Sequence, residues 1–183
     1  DLVVESMTKY ISAGTCIGGM VAGRPDLMSK IFDYSKHYGL FVGSDHCRLF
    51  LNGISTLKDR VETTSKLTIK VAEQLESNTK IIRILYPGLI SHPDNEKFKK
   101  YLKLNPGVIW FNIRNTAVLK RNDVIKILSS GKLPFKTSFG GSESRIDQFP
   151  KVNKTDIWIR LAIGYDANVE DTISGLIEVL NKF

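Results

Sequence analysis

Apolar and polar residues follow two periods along this chain, and where the period changes the elements can be read. Leu2-Val3-Val4 is a β-branched run suited to a buried strand, and the Ser-, Thr- and Gly-rich stretch from Ser6 to Gly19 reads as a loop. Gly19-Met-Val-Ala-Gly23 reads as a second strand. Arg24-Pro25-Asp26 is a turn, with Asp26 placed to cap a helix running to about Tyr38. From Ser44 to Ser77, apolar residues at Leu49, Ile54, Leu57, Val61, Leu67, Val71 and Leu75 recur at helical spacing with charges between them. This segment predicts one or two long helices, with Gly53 as a bend or a point of close packing. Beyond it lie a strand at Ile81–Tyr86, a basic helix at Asp94–Lys103 and a strong strand at Val108–Ile113. A helix at Asn122–Ser129, a short strand at Phe135–Phe139, a strand at Ile157–Ile163 and a closing amphipathic helix at Val169–Leu180 complete the pattern.

The order β-α-β-α-β-β-α after residue 80 predicts a small α/β lobe whose helices cover one face of a largely antiparallel sheet. No repeat of fixed period and no low-complexity tract interrupts it. A chain of 183 residues with 42% hydrophobic and 25% charged residues can bury a core of ordinary size. No apolar run approaches the roughly 18 residues of a membrane span. Asp1-Leu-Val-Val-Glu-Ser has neither the basic start nor the apolar stretch of a secretory signal. The net charge of +7 raises the question of a polyanion partner. Its lysines are dispersed over polar helix faces, with no Arg-rich block interleaved with aromatics, so nucleic acid is not expected as a partner. Cys16 and Cys47 have no metal-ligand spacing, and reduced thiols of a cytoplasmic protein are expected, with no disulfide and no metal.

Candidate chemistry begins at Ser6-Met-Thr8-Lys9-Tyr10. At the end of a strand, alternation sends Ser6 and Thr8 to one side while Lys9 turns over them. Two hydroxyls donate well to phosphate oxygens, and a lysine amine forms a Schiff base with an aldehyde, so the set suits a phosphorylated aldehyde. A lysine after Ser and Thr also reads as a solvated loop residue. Gly14-Thr-Cys-Ile-Gly18-Gly19 follows. It opens no helix and carries no Gly-Lys-Ser/Thr, so neither a dinucleotide fingerprint nor a P-loop is present.

Together these stretches resemble the signature of the Cys/Met-metabolism (trans-sulfuration) pyridoxal-phosphate enzymes: Ser-x-Thr-Lys-Tyr/Phe, a spacer, then a glycine loop. Further blocks in the same order extend the resemblance over nearly the whole chain. They are Asp45-x-Cys47 with Leu49-x-Leu51-x-Gly53, then Leu85-Tyr86-Pro87-Gly88-Leu89-x-Ser91-His92-Pro93, Thr137-Ser138-Phe139-Gly140-Gly141-x-Glu143-Ser144 and Ile159-Arg160-Leu161-Ala162-Ile163-Gly164. The resemblance implies an α/β fold. Residues 1–78 would be the end of a large aspartate-aminotransferase-like (fold type I) domain with its linking helix, and residues 79–183 a small C-terminal α/β domain with a largely antiparallel sheet. It implies pyridoxal 5'-phosphate as cofactor, Lys9 as the Schiff-base lysine and proton shuttle, and Ser6 and Thr8 as phosphate ligands. Arg160 would clamp the substrate α-carboxylate, helped by the backbone around Ser138. An Arg in an apolar strand also reads as half of a buried ion pair. His92 is left outside the site, as a loop histidine without a paired carboxylate.

The implied activity is β- or γ-elimination or γ-replacement on cystathionine, homocysteine or cysteine, or O-acyl-homoserine substrates, in a homo-oligomer built as a dimer of dimers. The family is about twice this length, so the resemblance implies a C-terminal portion that is inactive alone and holds the cofactor poorly. Two stretches depart from the usual pattern. The expected Gly-His reads Ala13-Gly14, and the Ser144–Ile157 segment is short and lacks the Thr-His-Ala/Ser stretch. The glycine loop is closer to acetylhomoserine sulfhydrylases, while Ser138-Phe-Gly-Gly-x-Glu-Ser is closer to cystathionine synthases and lyases. A different class of reading is a non-catalytic module that keeps this scaffold to bind a metabolite or partner. Retention of Ser6, Thr8, Lys9 and Arg160 together argues against it.

Overall fold

The structure, a computed structural model, describes all 183 residues. It separates into two compact units, Asp1–Asp59 and Arg60–Phe183.

In the first unit, β1 (Leu2–Glu5) and β2 (Met20–Gly23) form a two-stranded antiparallel sheet, with Leu2 opposite Gly23 and Glu5 opposite Met20. Its residues Leu2, Val3 and Val4 are exposed on this ribbon. Nothing adds a third strand to this ribbon, and two strands alone cannot cover a face of their own. Helix α1 (Pro25–Tyr38) begins two residues earlier than a cap at Asp26 requires. Pro25 takes the first helical position, which its fixed φ and missing N–H suit, so Arg24 is the N-cap and makes no side-chain cap bond. Asp26 instead pairs with Arg24, at 3.1 Å from Nε and 2.8 Å from Nη2. This contact holds its carboxyl below the usual range. The long periodic segment is two helices, α2 (Ser44–Ser55) and α3 (Leu57–Glu76), broken at Thr56. Gly53 supplies close packing: a Cβ there would fall 2.1 Å from the Ile11 carbonyl oxygen. The division between the units falls in the first turn of α3.

The second unit is built on a five-stranded antiparallel sheet. Its strands are β3 (Ile81–Leu85), β4 (Val108–Arg114), β5 (Arg145–Ile146), β6 (Lys151–Val152) and β7 (Asp156–Ala162). β7 pairs with β4 along its whole length on one side and with β5 and β6 on the other, while β3 pairs with β4 at the far edge. The register shifts between Ile81 and Arg83 of β3, a bulge at the sheet edge. Ile109, Phe111 and Ile113 of β4 lie opposite Leu161, Ile159 and Ile157 of β7, so alternation gathers all six on one face. That face packs with Val71, Ala72 and Leu75 of α3, Val124 and Leu128 of α5 (Arg121–Ser129), and Leu176, Val179 and Leu180 of α6 (Val169–Leu180) into one apolar core. The short helix α4 (Asn95–Tyr101) buries only Asn95, whose Nδ2 donates to the Pro87 carbonyl at 2.8 Å and pins the helix to the loop after β3.

The expected strand at Phe135–Phe139 does not form. Only Phe135 makes a bridge, parallel to Ile146, and the next residues turn away with Ser138 at φ 84° and Gly140 at φ 81°. Backbone with two such positive φ values cannot run as a strand. The strands β5 and β6, both two residues long, had no legible pattern of their own and exist because β7 offers them a ladder. Truncating Phe111, fully buried at the middle of this face, is expected to destabilise the second unit by about 3–5 kcal/mol. Both tryptophans, Trp110 and Trp158, lie in that unit's sheet. Their fluorescence during urea unfolding of Phe111→Ala measures the shift directly.

Candidate functional site

In the first unit the chain leaves β1 at Glu5 and turns at once. The Lys9 amide donates to the Ser6 carbonyl at 3.1 Å, so a tight turn relates Ser6, Thr8 and Lys9, replacing the strand alternation expected there. The rest of the loop wraps around Thr8. Its carbonyl accepts from the Gly14 amide at 2.9 Å, and its Oγ1 accepts from the Gly18 amide at 3.0 Å. The Ser12 hydroxyl lies within 3.2 Å of the Thr8 carbonyl and 3.1 Å of the Cys16 carbonyl. Ala13 at φ 55° and Gly14 at φ 84° reverse the chain so that these bonds can close. Ser12 and Cys16 are buried beneath the loop, Thr8 and Lys9 are half-buried, and Ser6 is exposed.

The Thr8 hydroxyl therefore accepts a firm bond from the Gly18 amide and donates its proton in a long one, 3.4 Å, to the Gly18 carbonyl. That proton and the exposed Ser6 hydroxyl are donors suited to phosphate oxygens, and the Lys9 amine stands one residue further on. Two hydroxyl donors and an amine within four residues fit a phosphorylated aldehyde such as pyridoxal phosphate in the chemistry of the donor set.

In the second unit Arg160 lies on the sheet face opposite the core, beside Trp158 and across from Trp110. Its Nη2 is 3.1 Å from Oδ2 of Asp147, with side chains 18% and 7% exposed. The pairing is incomplete, because Arg160 Nε and Asp147 Oδ1 are both buried without a partner. The Phe139 ring centre lies 5.8 Å from the guanidinium carbon, which brings the Ser138–Gly141 loop beside Arg160. That loop is held at its far end by the turn after β7. The Gly164 amide donates to Ser144 Oγ at 3.3 Å, and the Tyr165 and Asp166 amides donate to the Gly141 and Ser142 carbonyls. A Cβ on Gly164 would fall 2.0 Å from the Ser142 carbonyl oxygen, so the approach needs glycine. Ser138 at φ 84° stores strain, the kind of outlier that surrounding structure must impose.

Ser6, Thr8 and Lys9 thus come together through one local turn, and Ser138 and Arg160 through the packing of a loop on a sheet, each set within its own compact unit. Asp147 escaped the reading of the sequence. The segment after Ser144 carries no motif, and only the register that sets Asp147 beside Arg160 reveals it. His92 serves its turn, its Nδ1 accepting from the Asp94 amide at 3.1 Å. Cys16 is a buried free thiol and Cys47 an exposed one. No helix is long and apolar enough to cross a membrane.

Over 150 residues the chain is 35% identical to cystathionine gamma-synthase 1, chloroplastic, of Arabidopsis thaliana, covering 81% of this chain and 26% of that protein. It is 32% identical over 197 residues to cystathionine beta-lyase of Lactococcus lactis, covering 100% of this chain and 50% of that protein. The crystal structure of cystathionine gamma synthase from Xanthomonas oryzae pv. oryzae in complex with aminoacrylate and cysteine superposes with a TM-score of 0.84. The identity there is 22%, over 100% of this chain and 50% of that one, and this likeness carries the fold alone. The chain spans about half the length, or less, of the relatives it matches. The sequence profile of the Cys/Met metabolism PLP-dependent enzymes matches residues 1–173, and the chain belongs to that pyridoxal-phosphate-dependent family.

Proposed function

We propose that this chain supplies the cofactor lysine and the substrate-carboxylate arginine of a pyridoxal-phosphate enzyme of sulfur amino-acid metabolism. The reaction is β- or γ-elimination, or γ-replacement, on cystathionine, homocysteine or cysteine, or O-acyl-homoserine substrates. The observation that carries this reading is the loop folded around Thr8, which commits the hydroxyl proton only to a long bond, 3.4 Å to the Gly18 carbonyl, one residue before Lys9. In this assignment Ser6 and Thr8 donate to the cofactor phosphate, and Lys9 holds the cofactor covalently through its amine. When bound, pyridoxal phosphate supplies an electron sink for charge developing at the substrate α-carbon. With the cofactor in place, the Lys9 amine would take the proton from that carbon. Arg160 binds the α-carboxylate through its guanidinium, and the backbone around Ser138 helps hold it.

The wider arrangement belongs to the same proposal. Residues 1–78 close a large fold type I domain and residues 79–183 form the small domain of a cytoplasmic homo-oligomer, a dimer of dimers. Neither nucleic acid nor membrane has a role.

Two measurements test the assignments. Borohydride reduction of the purified protein in the presence of pyridoxal phosphate, followed by peptide mapping, is expected to place the pyridoxyl adduct on Lys9 in clear excess over other lysines. Lys9→Ala should abolish that preference. Labelling spread evenly over the exposed lysines would remove the cofactor role from Lys9. Ser138→Gly is expected to stabilise the second unit by about 1 kcal/mol, because the positive φ costs a non-glycine residue roughly that much. Ser138→Val is expected to lower stability by more than that, and the urea midpoints of the two variants read both effects.

A further inference from the structure

Of the charged groups in the second unit, Asp147 and Arg160 are the pair most removed from solvent and least completely satisfied. Arginine–carboxylate pairs are frequently bidentate, with two parallel N–H···O bonds across the fork. Here one bond is made, at 3.1 Å, and a buried donor and a buried acceptor are left over. One backbone bond and two side-chain contacts set the guanidinium all the same. The Asp147 amide donates to the Arg160 carbonyl at 3.0 Å, which extends the Ile146–Leu161 pairing by one residue and sets the two side chains directly opposite. Asp147 Oδ2 holds Nη2, and the Phe139 ring lies 5.8 Å from Cζ. The Arg160 side chain keeps 18% of its surface exposed.

We infer that Asp147 is the positioning residue of Arg160. It holds Nη2 and fixes the plane of the fork, so that the rest of the guanidinium meets a ligand carboxylate in one orientation. The inference rests on the reading of Arg160 as the carboxylate clamp. Asp147 neutralises the guanidinium before any ligand arrives, so recognition depends on directed N–H groups more than on net charge. A planar carboxylate matches such a fork, and an amino alcohol of the same size does not.

Position and charge separate in two variants. Asp147→Asn keeps an oxygen acceptor in place and removes the charge. Asp147→Glu keeps the charge and displaces both oxygens by a methylene. The readout is the Arg160 Nε–H signal in nitrogen-15 spectra of the arginine side chains, assigned by its loss in Arg160→Lys. Glycine is the carboxylate probe and ethanolamine the matched control. Wild type and Asp147→Asn are expected to show a protected Nε–H that glycine shifts and ethanolamine does not, with Asp147→Asn binding glycine as tightly as wild type or tighter. Asp147→Glu is expected to lose protection and bind glycine about tenfold more weakly or worse. Near-UV circular dichroism confirms folding, and Asp147→Ser replaces Asp147→Glu where crowding unfolds it. The inference is overturned if the displaced or truncated carboxylate leaves the signal and the affinity unchanged, or if Asp147→Asn loses them. A protected signal that follows the Asp147 variants as expected but never responds to glycine supports the positioning and removes the carboxylate clamp itself.

Discussion

The second unit depends on the alternation of one strand. β7 is paired on both sides, and its odd-numbered residues Ile157, Ile159 and Leu161 are fully buried against β4 and the helices. A strand with period two that commits those residues to the core must send Trp158 and Arg160 to the other face. A slip of one residue would bury the guanidinium and expose three large apolar side chains, so hydrophobic burial holds the charged group in place at no cost to the core. The strand's neighbours inherit the constraint. Asp147 stands beside Arg160 because Ile146 is fixed opposite Leu161.

Around that rigid centre, the loops carry the less comfortable geometry. Ser138 and Gly140 adopt positive φ, and the loop they form is tied through Ser142 and Ser144 to the turn at Gly164–Asp166. Thr172 at the start of α6 joins the same knot, its hydroxyl 3.3 Å from Ser144 Oγ. Strain and partly satisfied polar groups persist where packed structure on several sides leaves no alternative, and such places cluster at sites of binding. Arg160 Nε and Asp147 Oδ1 belong to that class.

The first unit reaches a similar end by local means. Its loop has no strand ladder to follow and closes on its own hydroxyls and carbonyls, with Thr8 as the hub. Small residues let its surroundings come close: a Cβ on Gly18 would lie 2.5 Å from the Phe50 ring, and one on Gly53 would meet the Ile11 backbone. Ala13 occupies a left-handed conformation in the stretch where the family pattern places Gly-His. An alanine there costs about 1 kcal/mol relative to glycine, a local price met by the bonds that close the loop.

The sequence by itself determined a good deal. The periodic helices, the strong strands β4 and β7 and the antiparallel lobe were legible because each rests on side-chain periodicity, and Ser6-x-Thr8-Lys9 and Arg160 stood out as candidates by motif alone. It misread features that depend on distant partners. Phe135–Phe139 looked like a strand but is bent by backbone torsions that no residue type there announces. Asp26 looked like a cap until Pro25 took the first helical position. Asp147, in a segment without pattern, became visible only when strand register set it against Arg160. Period and motif are local properties and survive in the linear chain. Burial, register and the partner of a charge are set by residues far away in sequence, and only the folded chain brings them together.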